Sequence, residues 1–369
     1  MAKCRDIIEQ LEKLAPVNLA ESWDNVGLLL GDMNQDVNNI LITLDVTSQV
    51  VQEAIEKKVD MIISHHPFIF KPLKRIVESD YTGSVIRKLI KNDIAVYAVH
   101  TNLDITWSGL NDELAKKLEL ENVTALHVLK SKTYKKIVVF VPCGYEDVVR
   151  EAMTQAGAGW IGNYSDCTYM VQGMGTYRPQ EGTNPFSGTL GKLEKAEEYR
   201  IETIVPSDKV GQVVESMLKV HPYEEVAYDV YPLDLKGEEI GIGRVGFLKK
   251  AITLDQLIDI VKSKLNISHI RYVGDETKLV SKVAVCSGNG LEFLSDCIKQ
   301  KVDVYITGDV KYHDAQAAEQ NGLCLIDAGH FGTENIVGPL LTDYLKNNLN
   351  VENVQIFYSQ VHSNVIKTI

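Results

Sequence analysis

Two distant stretches of this chain share one pattern, and any fold has to accommodate both. Residues 40–66 read ILITLDVTSQVVQEAIEKKVDMIISHH, and residues 283–309 read VAVCSGNGLEFLSDCIKQKVDVYITGD. Each gives an apolar strand, a turn, an amphipathic helix, and then Lys-Val-Asp before a second apolar strand that ends in polar residues. Lys58-Val59-Asp60 and Lys301-Val302-Asp303 fall in the same register. Further on, Asn92-Asp93-Ile94 opens the strand-like AVYAV, followed by His100 and Asp104. Asn321-Gly322-Leu323 opens CLIDA, followed by His330 and Glu334. Each copy thus delivers a His-x-x-x-acid group at the carboxyl end of a strand. Alternating strands and helices predict an α/β architecture of two related halves.

Between the copies the rhythm changes. From about 128 to 240 the order is strand (KKIVVFVP), helix (EDVVREAMTQAG), Gly-rich polar strands, strand (YRIETIVP), helix (DKVGQVVESMLKVH), strand (AYDVYPL). Two β-α-β units of this kind predict an inserted ferredoxin-like α+β domain. The Gly and Pro density of 173–191 marks a surface loop or hairpin. The core is then discontinuous, residues 1–127 and 241–369 flanking the insertion at 128–240.

Composition narrows the function classes. The 38 basic residues against 50 acidic leave a net charge of −12, which gives no bulk attraction to nucleic acid or to an anionic membrane. No run of Lys and Arg builds a local basic groove. The start, Met1-Ala2-Lys3-Cys4-Arg5-Asp6, leads into charged helical sequence rather than an apolar signal core, and no apolar run approaches the ~18 residues of a membrane span. The six cysteines (Cys4, Cys143, Cys167, Cys286, Cys297, Cys324) form no C-x-x-C pair. They read as buried reduced thiols of a cytoplasmic protein.

The chemistry concentrates at strand ends, where α/β sheets gather functional groups. Ile62-Ile63-Ser64-His65-His66-Pro67 puts two imidazoles at the end of a buried strand. Adjacent side chains of a strand point to opposite faces, so the two converge only if the chain turns there, and Pro67 suits such a turn. His65, His66, His100, Asp104, His330 and Glu334 form a mixed imidazole and carboxylate set suited to Zn²⁺, Fe²⁺ or Mn²⁺. A shared carboxylate can bridge two such ions. His313, in Gly308-Asp309-Val310-Lys311-Tyr312-His313, matches the His-His region in the second copy and reads as an outer or substrate-facing group. His127, His221, His269 and His362 have no such company and read as ordinary histidines.

These residues carry a family resemblance. Ser22-Trp23-Asp24-Asn25-Val26-Gly27-Leu28, Leu44-Asp45-Val46-Thr47, Ser64-His65-His66-Pro67, His100-Thr101-Asn102-Leu103-Asp104, Gly288-Asn289-Gly290 and Gly329-His330-Phe331-Gly332-Thr333-Glu334 resemble the GTP cyclohydrolase I type 2 homolog family, also called the NGG-interacting-factor-three family. The resemblance covers the whole chain. It implies that His66 and Asp104 hold one metal, that His65 and His330 hold the other, and that Glu334 bridges, with His100 outside the direct ligands. It also implies a PII- or CutA-like insertion and a ring-shaped homohexamer whose metal sites face an internal cavity.

Two glycine motifs bear on cofactors. Gly241-Ile242-Gly243-Arg244-Val245-Gly246 matches the dinucleotide pattern, which requires a helix opening at its end. Here strand-like Phe247-Leu248 follows, so no nucleotide cofactor is expected and the segment reads as a tight re-entry from the insertion. Ser287-Gly288-Asn289-Gly290 is open to two readings, a phosphate-holding turn or an ordinary strand-to-helix turn. Trp23-Asp24-Asn25 either hydrogen-bonds near the site or anchors the N-terminal region.

The expected function is metal-dependent hydrolysis of a nucleotide or phosphoester by activated water, with GTP ring opening as the chemistry the family label implies. His100 or His313 could shuttle protons. The alternative is a non-catalytic metal-binding or regulatory assembly.

Overall fold

The computed structural model describes residues 2–349, 354–361 and 363–367; His362 lies outside them. The chain divides into two compact units, residues 1–129 with 240–369, and residues 130–239.

In the larger unit the two sequence copies become two sheets. In the first, strands Gln355–Tyr358, Asn39–Thr43, Met61–Ser64 and Ala95–Ala98 run parallel in that order, and Gly27–Leu30 closes the far edge antiparallel. In the second, Leu279–Val285, Val304–Thr307 and Cys324–Asp327 run parallel. Arg271–Val273 lies antiparallel beyond Cys324–Asp327, as Gly27–Leu30 does beyond Ala95–Ala98. Glu239–Thr253 and Glu121–Ser131 extend the other edge.

The central parallel strands are mostly apolar because both of their faces are covered, as parallel sheets require. Ile40, Ile42, Met61, Ile63, Ala95 and Tyr97 face one cluster, and alternate residues Leu41, Ile62 and Val96 face another. In the second sheet Val283, Val285, Val304 and Ile306 join the first cluster, while Ala284, Tyr305 and Leu325 turn away from it. The two sheets therefore share one core.

The repeated Lys-Val-Asp has a local cause. Lys58 and Lys301 both take left-handed φ of 53° just after a helix. Asp60 Oδ2 then accepts from the amides of Asn38 and Asn39 at 2.7 and 2.9 Å. Asp303 Oδ2 accepts from Ser281 and Lys282 at 2.9 and 2.8 Å. Each carboxylate thus ties the start of one strand to its neighbour.

The Gly-x-Gly segment lies inside strand Glu239–Thr253 and opens no helix. Its glycines serve close backbone approach: a Cβ at Gly241 would sit 2.0 Å from His127 O.

The smaller unit runs strand Tyr134–Pro142, helix Glu146–Gln155, strands Thr168–Tyr177 and Glu194–Pro206, helix Val210–Val220, and strand Tyr228–Leu233. Its antiparallel sheet is ordered Tyr228–Leu233, Tyr134–Pro142, Glu194–Pro206, Thr168–Tyr177. Ile137, Val139, Val141 and Ile201 pack on Val149, Met153, Val213 and Met217 of the helices.

Cys4, Cys286, Cys297 and Cys324 are buried thiols as expected, but Cys143 is exposed and Cys167 half-buried. Both lie at strand ends of the smaller unit, Cys143 just after Tyr134–Pro142 and Cys167 just before Thr168–Tyr177. Among the described residues no helix is long and apolar enough to cross a membrane.

Candidate metal centre

Strand Met61–Ser64 ends where the two imidazoles begin, and the chain bends at His65 and His66. Ser64 Oγ donates to His66 O at 2.9 Å across that bend. The rings of His65 and His66 consequently lie on the same side, centroids 5.2 Å apart, instead of on opposite faces. His65 is wholly buried.

Each imidazole is aimed through its Nδ1. His65 Nδ1 meets Val99 O at 2.8 Å, His66 Nδ1 meets Asp45 Oδ1 at 2.8 Å, His330 Nδ1 meets Asp309 Oδ2 at 2.7 Å, and His100 Nδ1 meets Asp24 Oδ1 at 2.9 Å. Holding one ring nitrogen fixes the tautomer and leaves the other nitrogen as a free lone pair. Those Nε2 atoms converge. His66 Nε2 and His330 Nε2 each lie 3.0 Å from Glu334 Oε2 and 3.4 Å from one another. His65 Nε2 lies 3.9 Å from Glu334 Oε1 and 3.7 Å from Asp104 Oδ1.

A buried cluster of lone pairs is unstable without a cation among them. His65 Nε2 has no hydrogen-bond partner although it is wholly buried. Among the described residues two groups of donors could hold a metal ion, His65 with His66 and His100, and His66 with His330 and Glu334. In each group the ligand atoms lie within 4.8 Å of one another. Imidazole nitrogens with a carboxylate are the donor set that divalent zinc, iron or manganese accepts.

The two His-x-x-x-acid groups are not equivalent. His330 is the first residue of helix His330–Glu334, so its i, i+4 partner Glu334 is brought onto it. His100 instead caps helix Thr101–Ile105 with non-helical φ −115° and ψ −111°. It turns to Asp24, edge-on to His65 at 5.2 Å and to His66 at 5.5 Å. The structure therefore places His100 among the converging imidazoles. Asp104 approaches His65, and its Oδ1 accepts from Ser287 Oγ at 3.2 Å. The shortest contacts join His66 and His330 to Glu334, and His65 lies between Asp104 and Glu334. His313 stands exposed on the first turn of helix Tyr312–Gln320, its ring against Tyr312, and joins neither donor group.

The charges are strongly coupled. Burial opposes charge on Glu334, yet His330 and His66 hold its carboxyl well below the usual carboxylate range. Burial likewise opposes charge on His66, but Asp45 and Glu334 raise it to about 10. Glu334 first and Asp309 next raise His330 to about 9 against burial. Burial drops His65 to about 3 despite Glu334. Burial, reinforced by Glu334, pushes Asp104 up to about 7 against His100 and Ser287. Protons and metal compete for these lone pairs.

The roles of Asp45 and Asp309 escaped the sequence reading. Asp45 and Asp309 orient His66 and His330, each from two residues beyond the end of a parallel strand, Asn39–Thr43 or Val304–Thr307. The two acids are not equivalent in the repeat, where Asp45 aligns with Gly288 and Asp309 with His66, so comparing the copies does not point to them. Asp24 also accepts from Thr101 N at 3.1 Å and Thr101 Oγ1 at 2.6 Å, so Trp23-Asp24-Asn25 adjoins the site. Gly288, at φ +59°, leaves room for Glu334: a Cβ there would lie 2.2 Å from Oε1. The Ser287–Gly290 turn spends its amides internally. Ser287 N donates to Asn111 Oδ1, Gly288 N to Thr333 Oγ1, and Gly290 N to Thr307 Oγ1, each at 2.9 Å. These bonds fix the turn that shapes the site beside Glu334.

The remaining histidines are accounted for locally. His127 pairs with Asp296, His221 with Phe140 O, and His269 with Ser268.

The family model described as Duf34/NIF3 (NGG1p interacting factor 3) matches residues 2–365. A Bacillus subtilis (strain 168) relative named "GTP cyclohydrolase 1 type 2 homolog" is 42% identical over 362 residues, 98% of this chain and 97% of the relative. A relative of the same name from Halalkalibacterium halodurans is 44% identical over 330 residues, 89% of each chain. Among solved structures, a Bacillus cereus protein related to NIF3 superposes with a TM-score of 0.87 at 42% identity, covering 100% of this chain and 99% of that one. Staphylococcus aureus protein SA1388 gives 0.82 at 30% identity, with 100% and 99% covered.

Proposed function

We propose that this chain, which belongs to the Duf34/NIF3 family, holds two divalent metal ions on His65, His66, Asp104, His330 and Glu334 and hydrolyses a nucleotide or phosphoester there. The observation that carries the reading is Glu334: a buried carboxylate with the Nε2 atoms of His66 and His330 each 3.0 Å from one oxygen and His65 Nε2 3.9 Å from the other. Both of its oxygens are thereby available to bridge. Divalent cations there would lower the pKa of a water and neutralise charge developing on a substrate oxygen.

The chain's own residues would do the rest. Asp45, Asp309 and Val99 O hold three imidazoles in one tautomer, so the ligand atoms are aimed before any ion arrives. His100, braced on Asp24, offers its second nitrogen beside His65 and His66 as a place to hold or pass a proton. The name carried by the Bacillus subtilis relative makes ring opening of GTP one candidate reaction. The ring-shaped homohexamer and the cytoplasmic location that the sequence leads one to expect belong to the same proposal, and mass measurement in solution tests the first.

The test combines metal analysis with a substrate screen on anaerobically purified protein. Two metals per chain are expected, with Glu334→Ala lowering both and His66→Ala mainly one. A nucleotide and phosphoester screen should then show turnover that chelation abolishes. Full metal occupancy in Glu334→Ala defeats the bridge. Two retained metals without turnover would favour a non-catalytic metal-binding assembly.

A further inference from the structure

We propose that the inserted unit binds a small organic cation, an ammonium head on an apolar body, in a cavity built over Glu198. The cavity is about 420 Å³, within the range of small-molecule sites, and lies wholly inside residues 130–239. Glu198 lines it from strand Glu194–Pro206 and is only 8% exposed. Tyr223 donates to its Oε1 at 3.0 Å. Among the described residues no donor meets Oε2, and no Lys or Arg pairs with Glu198.

With Tyr223 on one oxygen, the other oxygen of this buried side chain is left for water or a ligand to donate to. The backbone is shaped to keep that oxygen in place. Gly175 faces it, and a Cβ at Gly175 would fall 2.1 Å from Oε2. Aromatic rings wall the same space. Tyr223 lies 5.8 Å from Phe186 and 6.4 Å from Tyr177 between centroids. Such faces attract a cation and shelter an apolar body.

The charges around the cavity select the ligand. Glu224 and Glu225 stand exposed on its lining, so an anion would meet three carboxylates. Arg178, the cation of the lining, turns Nη1 to Gly191 O at 2.6 Å. A bare metal ion is disfavoured because Glu198 belongs to no converging group of three donors among the described residues. A neutral apolar ligand would leave Oε2 without a donor. An ammonium supplies donors to Oε2 and charge to the ring faces together.

The test uses the full chain and a matched pair of probes, benzylamine, which is an ammonium at pH 7, and benzyl alcohol. Ligand-detected NMR titration should show saturable benzylamine binding that is at least about tenfold tighter than that of the alcohol, the factor a charge-assisted hydrogen bond provides. Glu198→Gln keeps the shape and the bond from Tyr223, and should remove that preference. Phe186→Ala should weaken both probes. Metal content should stay unchanged in both variants, which separates this site from the centre held by the other unit. Equal affinity for the two probes, unchanged benzylamine affinity in Glu198→Gln, or no saturable binding up to about 10 mM would each overturn the proposal.

Discussion

Arg244 and Asp112 form a two-pronged ion pair, Nε to Oδ1 at 2.9 Å and Nη2 to Oδ2 at 2.7 Å, around a guanidinium with no exposed surface. The same group donates to Thr106 O, Gly241 O and Gly243 O, each at 2.8 Å, and lies 4.3 Å above the Trp107 ring. It therefore clamps the chain just beyond helix Thr101–Ile105, the helix that presents Asp104.

Replacing Arg244 with Ala should cost about 3–5 kcal/mol, because Asp112 and three carbonyls lose their donors together. Arg244→Lys keeps the charge but loses the fork and the stacking, and should fall between. Thermal denaturation should show a fall of roughly 5–15 °C for Arg244→Ala. A fall within about 2 °C would mean that the clamp adds little to stability.

Gly288→Ala isolates the space beside Glu334. The left-handed backbone alone should cost on the order of 1–2 kcal/mol. The new methyl would also displace the Glu334 carboxylate, whose Oε1 lies 2.2 Å from its position. Elemental analysis should show metal content falling more than the modest stability loss explains. Normal metal loading would show that Glu334 can shift without consequence.

Glu53 ties the carboxyl-terminal strand Gln355–Tyr358 to helix Ser48–Glu56. Ser359 Oγ donates to it at 2.6 Å, Gln360 N at 3.2 Å and Lys57 Nζ at 2.8 Å. Despite burial, Lys57 and then Ser359 hold its carboxyl below the ordinary value. A depressed carboxyl stabilises the fold above its unfolded pKa of about 4.3 and loses that contribution as pH falls through the folded value. Glu53→Gln should therefore be less stable by about 1–3 kcal/mol at pH 7, with a smaller gap at acid pH below the unfolded value. Denaturant midpoints at both pH values check the sign, and a gap that widens in acid contradicts it.

Excising residues 130–239 and joining Leu129 to Ile240 through a short Gly-Ser linker should leave the metal centre intact. All five proposed ligands, and His100, lie in the other unit. Cooperative melting with an unchanged ratio of metal to protein is expected. Loss of both would show that the larger unit depends on the smaller.

Much of this was legible in the chain. The parallel strands, the shared Lys-Val-Asp register and the strand-end position of His65, His66 and His330 follow from short continuous apolar runs and turn residues, which act over a few neighbours. The rejection of a dinucleotide site rested on the same local reasoning, and strand Glu239–Thr253 occupies that segment.

What tertiary structure decided is convergence. A one-residue difference in where a short helix begins puts His330 in the helix beside Glu334 but leaves His100 as a cap turned to Asp24. Asp45 and Asp309 look like ordinary loop acids until their strands stand next to the histidine they orient. Arg244, read as part of a glycine-rich turn, proves to be a buried charge because Asp112 waits across 132 residues of chain. Periodicity is a property of near neighbours and can be read along the sequence. The partner of a buried charge is set by how two sheets share one core, and that is settled only when the whole unit has closed.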